Sequence, residues 1–132
     1  MASLRHERRI AAPADVVWNT ICRPETIPDW FPGIVLCTVE GNIRTVKTAS
    51  GIEMPEEILT IDPLIRRFAY RMTAPIYRFH LGVIDVIELG VNDTLCIYST
   101  TAEPDTLALI IAGGTIGALV EIQRLSEAAA KE

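Results

Sequence analysis

Cysteine is scarce in this chain: Cys22, Cys37 and Cys96 are widely spaced and set in apolar sequence. An odd count at such spacing argues against a disulfide frame or a zinc site and suits reduced core thiols, so a cytoplasmic setting is expected. Long basic runs are missing as well. The longest is RHERR at Arg5 to Arg9, and 12 Lys plus Arg against 17 Asp plus Glu leave a net charge of −5, which speaks against a nucleic-acid partner. The charges of MASLRHERRI have no apolar stretch behind them, so no signal peptide is read there. The uncharged run from Thr106 to Val120 is shorter than the roughly 20 residues of a bilayer span, so no stable membrane insertion is expected. The sequence holds no Gly-rich phosphate loop, no His-Glu-X-X-His, no Cys-X-X-Cys and no Gly-X-Ser-X-Gly. Nucleotide, zinc and serine-hydrolase chemistries lose support, and neither a metal nor an organic cofactor is expected.

What is present is strand periodicity followed by one helix. The 132 residues fit a single domain, 1–132, large enough to bury a core without staples. Leu4, His6, Arg8 and Ile10 alternate with Arg5, Glu7 and Arg9, which predicts a first strand with one charged face. Pro13 suits a first helical position, and Val16, Val17, Thr20 and Ile21 follow at helical spacing. Pro24, Pro28 and Pro32 confine the next stretch to a second short helix around PETIPDWF. Six further period-two segments then succeed one another, the first two joined at Gly41-Asn42, a pair that tolerates the positive φ of a tight hairpin. After Pro104, the residues Leu107, Ile110, Ile111, Gly114, Ala118, Ile122, Leu125 and Ala129 recur at spacings of three and four, the stripe of one long helix. Leu109, Ile116, Leu119 and Val120 lie off that stripe and leave a homodimer open as a partner. The expected fold class is α+β, in the order β-α-α-β6-α: a seven-stranded antiparallel sheet curved around the long C-terminal helix, with a pocket between them.

Parity singles out two charges. If Val46 faces the core, so do Arg44 and Thr48; if Ile58 does, so do Met54, Glu56 and Thr60. A lone buried charge costs several kcal/mol, so Arg44 and Glu56 must pair, meet water or hold a polar ligand group. An exposed cross-strand pair at a sheet edge is the competing reading. Glu57, one place on, should face solvent. His6, Arg8 and Asp85 are each read either as cavity-facing or as exposed.

The segment IAAPADVVWNTICRPETIPDWFPGI, residues 10–34, resembles the entry signature of START-related and pollen-allergen-like helix-grip domains, the SRPBCC superfamily. With IRTVKTASGIEMPEEILTID, RRFAYRM and GTIGALVEIQRL, the chain is similar over nearly its whole length to the polyketide cyclase/dehydrase family. That resemblance implies a ligand cup whose members cyclise, dehydrate or isomerise a substrate, or only carry or sense a lipid or hormone. It implies Arg44 as a guanidinium for a carbonyl, enolate or carboxylate and Glu56 as general acid or base; Tyr70, which shares parity with Phe68 and Met72, is read as cavity wall with a hydroxyl able to orient the ligand, and these three are the candidate catalytic residues. Trp30, Phe31, Val46, Ile58, Phe68, Met72, Tyr77, His80, Ile110 and Gly114 are the candidate ligand contacts. The implied partner is a small hydrophobic, mainly apolar carbonyl compound. A non-catalytic carrier and an interaction domain using the apolar helix face are the alternatives.

Overall fold

The computed structural model describes every residue from Met1 to Glu132. Strand β1 (Ala2–Ile10) is followed by helix α1 (Ala14–Ile21), a 3₁₀ turn (Pro24–Thr26) and helix α2 (Ile27–Trp30). Six strands come next: β2 (Ile34–Glu40), β3 (Ile43–Thr48), β4 (Glu53–Asp62), β5 (Arg67–Met72), β6 (Phe79–Gly90) and β7 (Asp93–Glu103). Helix α3 (Asp105–Ala130) closes the chain. All ladders are antiparallel and the sheet order is β1-β7-β6-β5-β4-β3-β2, so β1 and β2 form the two edges. The curved sheet holds α3 against its inner face, the helix-grip arrangement expected from the resemblance.

Local chemistry explains the joints. Gly41 carries φ 62° in the β2–β3 hairpin, where Asn42 stays at negative φ. Pro13 serves as N-cap of α1 rather than as its first helical residue. The turn after β4 is held by Asp62 Oδ1, which accepts from the Leu64 N–H at 2.9 Å. The outer face of the sheet is laced with ion pairs: Arg9 with Asp93, Arg67 with Asp85, and Arg71 with Glu57. Asp85 therefore lies on the water-facing side, as Glu57 does, and such pairs contribute at most about 1 kcal/mol each.

The inner face carries the core. Phe68, Tyr70, Ile84, Val86, Cys96 and Tyr98 from the sheet meet Val17, Trp18, Ile21, Ile27 and Trp30 from the short helices, and Ala118, Leu119 and Ile122 from α3. Three points differ from the sequence reading. First, a β-bulge at Leu59 shifts the register between Ile58 and Thr60, so that Thr60 pairs with Ala69 and leaves the inward parity of Met54, Glu56 and Ile58. Second, α3 buries Ala108, Ala112, Thr115, Ala118, Leu119, Ile122 and Ser126, whereas Ile110 is 67% exposed and Ala129 is exposed. The small residues are the buried ones because they allow close approach to β1 and β7, and Leu109, Ile110 and Ile116 turn outward. Third, α3 is 26 residues long with a mean hydropathy of 1.6 over its most apolar window, so length and composition alone would let it cross a membrane. It packs instead against β1, β7, α1 and α2. Two glycines of this helix have a steric role: a Cβ on Gly114 would stand 3.0 Å from the Phe31 ring, and one on Gly117 would stand 3.2 Å from Pro32, whereas Gly113 faces open space.

Candidate functional site

Between the inner face of β3 to β5, the α2–β2 segment and the first half of α3 lies a cavity of about 490 Å³, within the range of small-molecule sites. Eleven of its 17 lining residues are hydrophobic, and Glu56 is the single charged side chain among them. Phe31, Val46, Met72, Tyr77, Ile110 and Gly114 also line it, as does Tyr70. Ile110 sits where the cavity opens, since most of its surface meets solvent.

Arg44 and Glu56 face each other directly in the β3–β4 ladder. Arg44 Nε donates to Glu56 Oε1 at 2.7 Å, and their side chains are 0% and 2% exposed. This is a desolvated pair, not an edge contact. Arg44 Nη1 donates to the Pro24 carbonyl at 3.1 Å, and its Cζ lies 5.3 Å from the Phe68 ring centre and 5.2 Å from that of Tyr70. Arg44 Nη2 is buried without a hydrogen-bond partner. Burial pushes the Glu56 carboxyl above its ordinary value, and the charge and hydrogen bond of Arg44 offset only part of that rise.

Arg44 itself does not line the cavity. Its guanidinium is walled by two rings and a carbonyl, and the one side chain it bonds is Glu56. Trp30 is likewise withdrawn: it is 1% exposed, packs 6.5 Å from the Tyr98 ring, and its Nε1 donates to Thr26 Oγ1 at 3.3 Å. Phe68 is wholly buried beneath Arg44, and Ile58 packs against the core; neither lines the cavity. His80 lies behind the lining, its ring 5.5 Å from both Tyr70 and Tyr77. The Met72 N–H donates to His80 Nδ1 at 2.9 Å, which puts the imidazole proton on Nε2, a buried atom without a partner. Burial lowers the His80 pKa to about 4, so the ring is neutral. Arg8 bonds Gln123 on α3, and neither it nor His6 lines the cavity.

The sequence reading omitted Tyr98. Its hydroxyl lies 2.6 Å from that of Tyr70, and both phenols are held well above their ordinary pKa, chiefly by burial. The pairing is possible because Tyr70 crosses Gly82 of β6: a Cβ there would stand 2.5 Å from Tyr70 Cζ. Alternation along β7 already places Tyr98 on the same face as Cys96 and Thr100, a signal available without coordinates. Thr48 and Met54, inward by the same parity, also line the cavity. No cluster of three His, Cys, Asp or Glu side chains suited to a metal occurs.

The sequence profile of a family described as polyketide cyclase / dehydrase and lipid transport matches residues 1–118. No curated protein sequence matches. Among solved structures, the chain is similar to the protein XoxI from Bacillus cereus, with 25% identity, a TM-score of 0.87 and 94% of each chain covered. It is similar also to norcoclaurine synthase from Thalictrum flavum in complex with a transition-state analogue, with 20% identity, a TM-score of 0.75, and 95% and 93% covered. A third similar structure is the di-domain ARO/CYC protein BexL of the BE-7585A biosynthetic pathway, with 18% identity, a TM-score of 0.78, and 96% of this chain but 47% of that one covered. These likenesses concern the fold.

Proposed function

We propose, from the premise that this chain belongs to the polyketide cyclase/dehydrase and lipid transport family, that it is a cup enzyme acting on a mainly apolar carbonyl compound by proton transfer. The supporting observation is Glu56: a buried carboxyl, alone in charge on an apolar cavity wall, with its pKa raised. In such surroundings a carboxylate is a stronger base than in water, and its pKa lies closer to neutral pH, where a group that must take and then return a proton works best. Glu56 removes a proton from the carbon beside the carbonyl; the C–H electron pair forms the enolate, whose charge gathers on oxygen. Return of the proton to another carbon of the enolate gives isomerisation; attack of the enolate carbon on a second carbonyl of the same molecule, with the Glu56 proton passing to the new alkoxide, gives cyclisation; and departure of a β-hydroxyl as water, carrying the Glu56 proton, gives dehydration. Arg44 fixes the carboxylate and restrains its pKa. Tyr70 orients the carbonyl.

A direct test uses 2-acetylnaphthalene in D₂O, with proton NMR following exchange of its methyl hydrogens. Exchange faster than in buffer, lost in Glu56→Gln, is the expected result; equal rates for the two proteins would refute the base assignment. The apolar lining equally suits a carrier of a hydrophobic ligand, whose polar end Glu56 would anchor. Native mass spectrometry of protein from its own host distinguishes the two: a retained, unaltered lipid supports the carrier, and a rearranged compound supports the enzyme.

A further inference from the structure

Tyr70 on the cavity wall and Tyr98 behind it contain two O–H protons, and the single bond between them uses one. Either oxygen can donate by distance alone, so the surroundings decide the direction. Tyr98 is 0% exposed, does not line the cavity, and is walled by the rings of Trp30 and Phe31 at 6.5 and 6.3 Å; its hydroxyl makes no other hydrogen bond. Were Tyr98 the acceptor, its own proton would be buried without a partner, which is costly in a dry interior. Tyr70 is also buried, at 1% exposed, but it is one of the residues that line the cavity, so the free side of its hydroxyl is the one a bound molecule can approach. Both hydroxyls stay protonated at neutral pH. The Arg44 guanidinium over the Tyr70 ring and an incoming bond from Tyr98 both strengthen Tyr70 as a donor.

We infer that Tyr98 is a positioning residue, donating to the Tyr70 oxygen and so turning the Tyr70 O–H toward the cavity, where it donates to a ketone, aldehyde or enolate oxygen. This deepens, and rests on, the reading of the cavity as a carbonyl-compound site. Gly82 belongs to the device, because only a residue without a side chain lets the Tyr70 ring lie across β6 to reach β7. The arrangement selects an acceptor: a hydrocarbon of the same shape leaves the Tyr70 proton unpaired, and a ketone satisfies it.

The experiment compares 2-acetylnaphthalene with 2-ethylnaphthalene, which has the same ring without the oxygen. Wild-type protein should bind the ketone more tightly and lower its infrared C=O stretch relative to alkane solvent. Tyr98→Phe should weaken ketone binding roughly 2- to 10-fold, the worth of one hydrogen bond, move the stretch back toward its alkane value, and leave 2-ethylnaphthalene affinity unchanged. Equal weakening of both probes, or of neither, overturns the inference, as does an unshifted stretch in wild type. Site-specific 3-fluorotyrosine at position 98 checks the same point without removing the hydroxyl: a stronger donor there should lower the stretch further, and an unchanged stretch counts against the role. If 2-ethylnaphthalene binds and the ketone gains nothing, the phenol pair fails while the apolar cavity stands. If neither compound binds, the carbonyl-site reading fails with it.

Discussion

Replacing Arg44 by Met should be among the most damaging single changes in this chain, and its cost should depend on pH. The substitution keeps the length of the side chain and much of its packing against Phe68 and Tyr70, and strands Glu56 with a buried charge. Removing one partner of a buried ion pair costs roughly 3–5 kcal/mol. Against a total stability of about 5–15 kcal/mol for a domain, that loss is readily measured by urea unfolding followed through Trp18 and Trp30 fluorescence. The direction of the pH effect follows from Glu56. Its folded pKa already lies above the ordinary value because of burial, and Arg44 is what restrains it. Without Arg44 it rises further, the folded state holds its proton more tightly than the unfolded chain, and stability falls as pH rises from the unfolded value through the folded one. Arg44→Met should therefore be less destabilised at pH 5 than at pH 8. Adding Glu56→Leu should recover at least about 2 kcal/mol at pH 8 and abolish the difference between the two pH values, since a buried pair replaced by apolar groups is often neutral. A cost below about 1 kcal/mol with no pH dependence would refute the view of a desolvated pair.

Gly82→Ala should destabilise the fold by roughly 1–3 kcal/mol, because the new methyl would overlap the Tyr70 ring, and thermal unfolding measures it. His80 should keep a neutral imidazole, protonated on Nε2, down to about pH 4 in ¹⁵N NMR. Its folded pKa is lowered, so the stability it contributes is present above its unfolded value and declines as pH falls through that value toward about 4. Titration near neutrality would contradict its burial. Asp85→Asn, which removes the outer partner of Arg67, should change unfolding free energy by less than about 1 kcal/mol, and a larger loss would place Asp85 in the interior.

The architecture was legible because each local signal agreed with the next: period-two segments, the Gly41-Asn42 hairpin, prolines confining the short helices, and one long apolar helix at the end. Parity along β3 and β4 located Arg44 and Glu56 on one face, since alternation is a rigid property of an extended chain. It also failed at one place. Leu59 adds a residue to β4 only, and nothing in EEILTID marks a bulge there. The orientation of α3 was hidden for a different reason. Its first half is apolar all round, so spacing cannot choose a face, and the choice falls to the small residues that let the helix approach the sheet. Tyr98 was readable by parity, but its pairing with Tyr70 depends on two ladders and on the missing side chain of Gly82, none of which is local in sequence. The withdrawal of Arg44 and Trp30 from the cavity surface is likewise a matter of packing depth, which alternation does not encode.

The decisive group is one carboxyl on an apolar cavity wall. Carbon-13 NMR titration of Glu56, assigned by its loss in Glu56→Gln, reads that state directly: a midpoint above the range of exposed glutamates is the predicted result, and a midpoint at or below that range would contradict it.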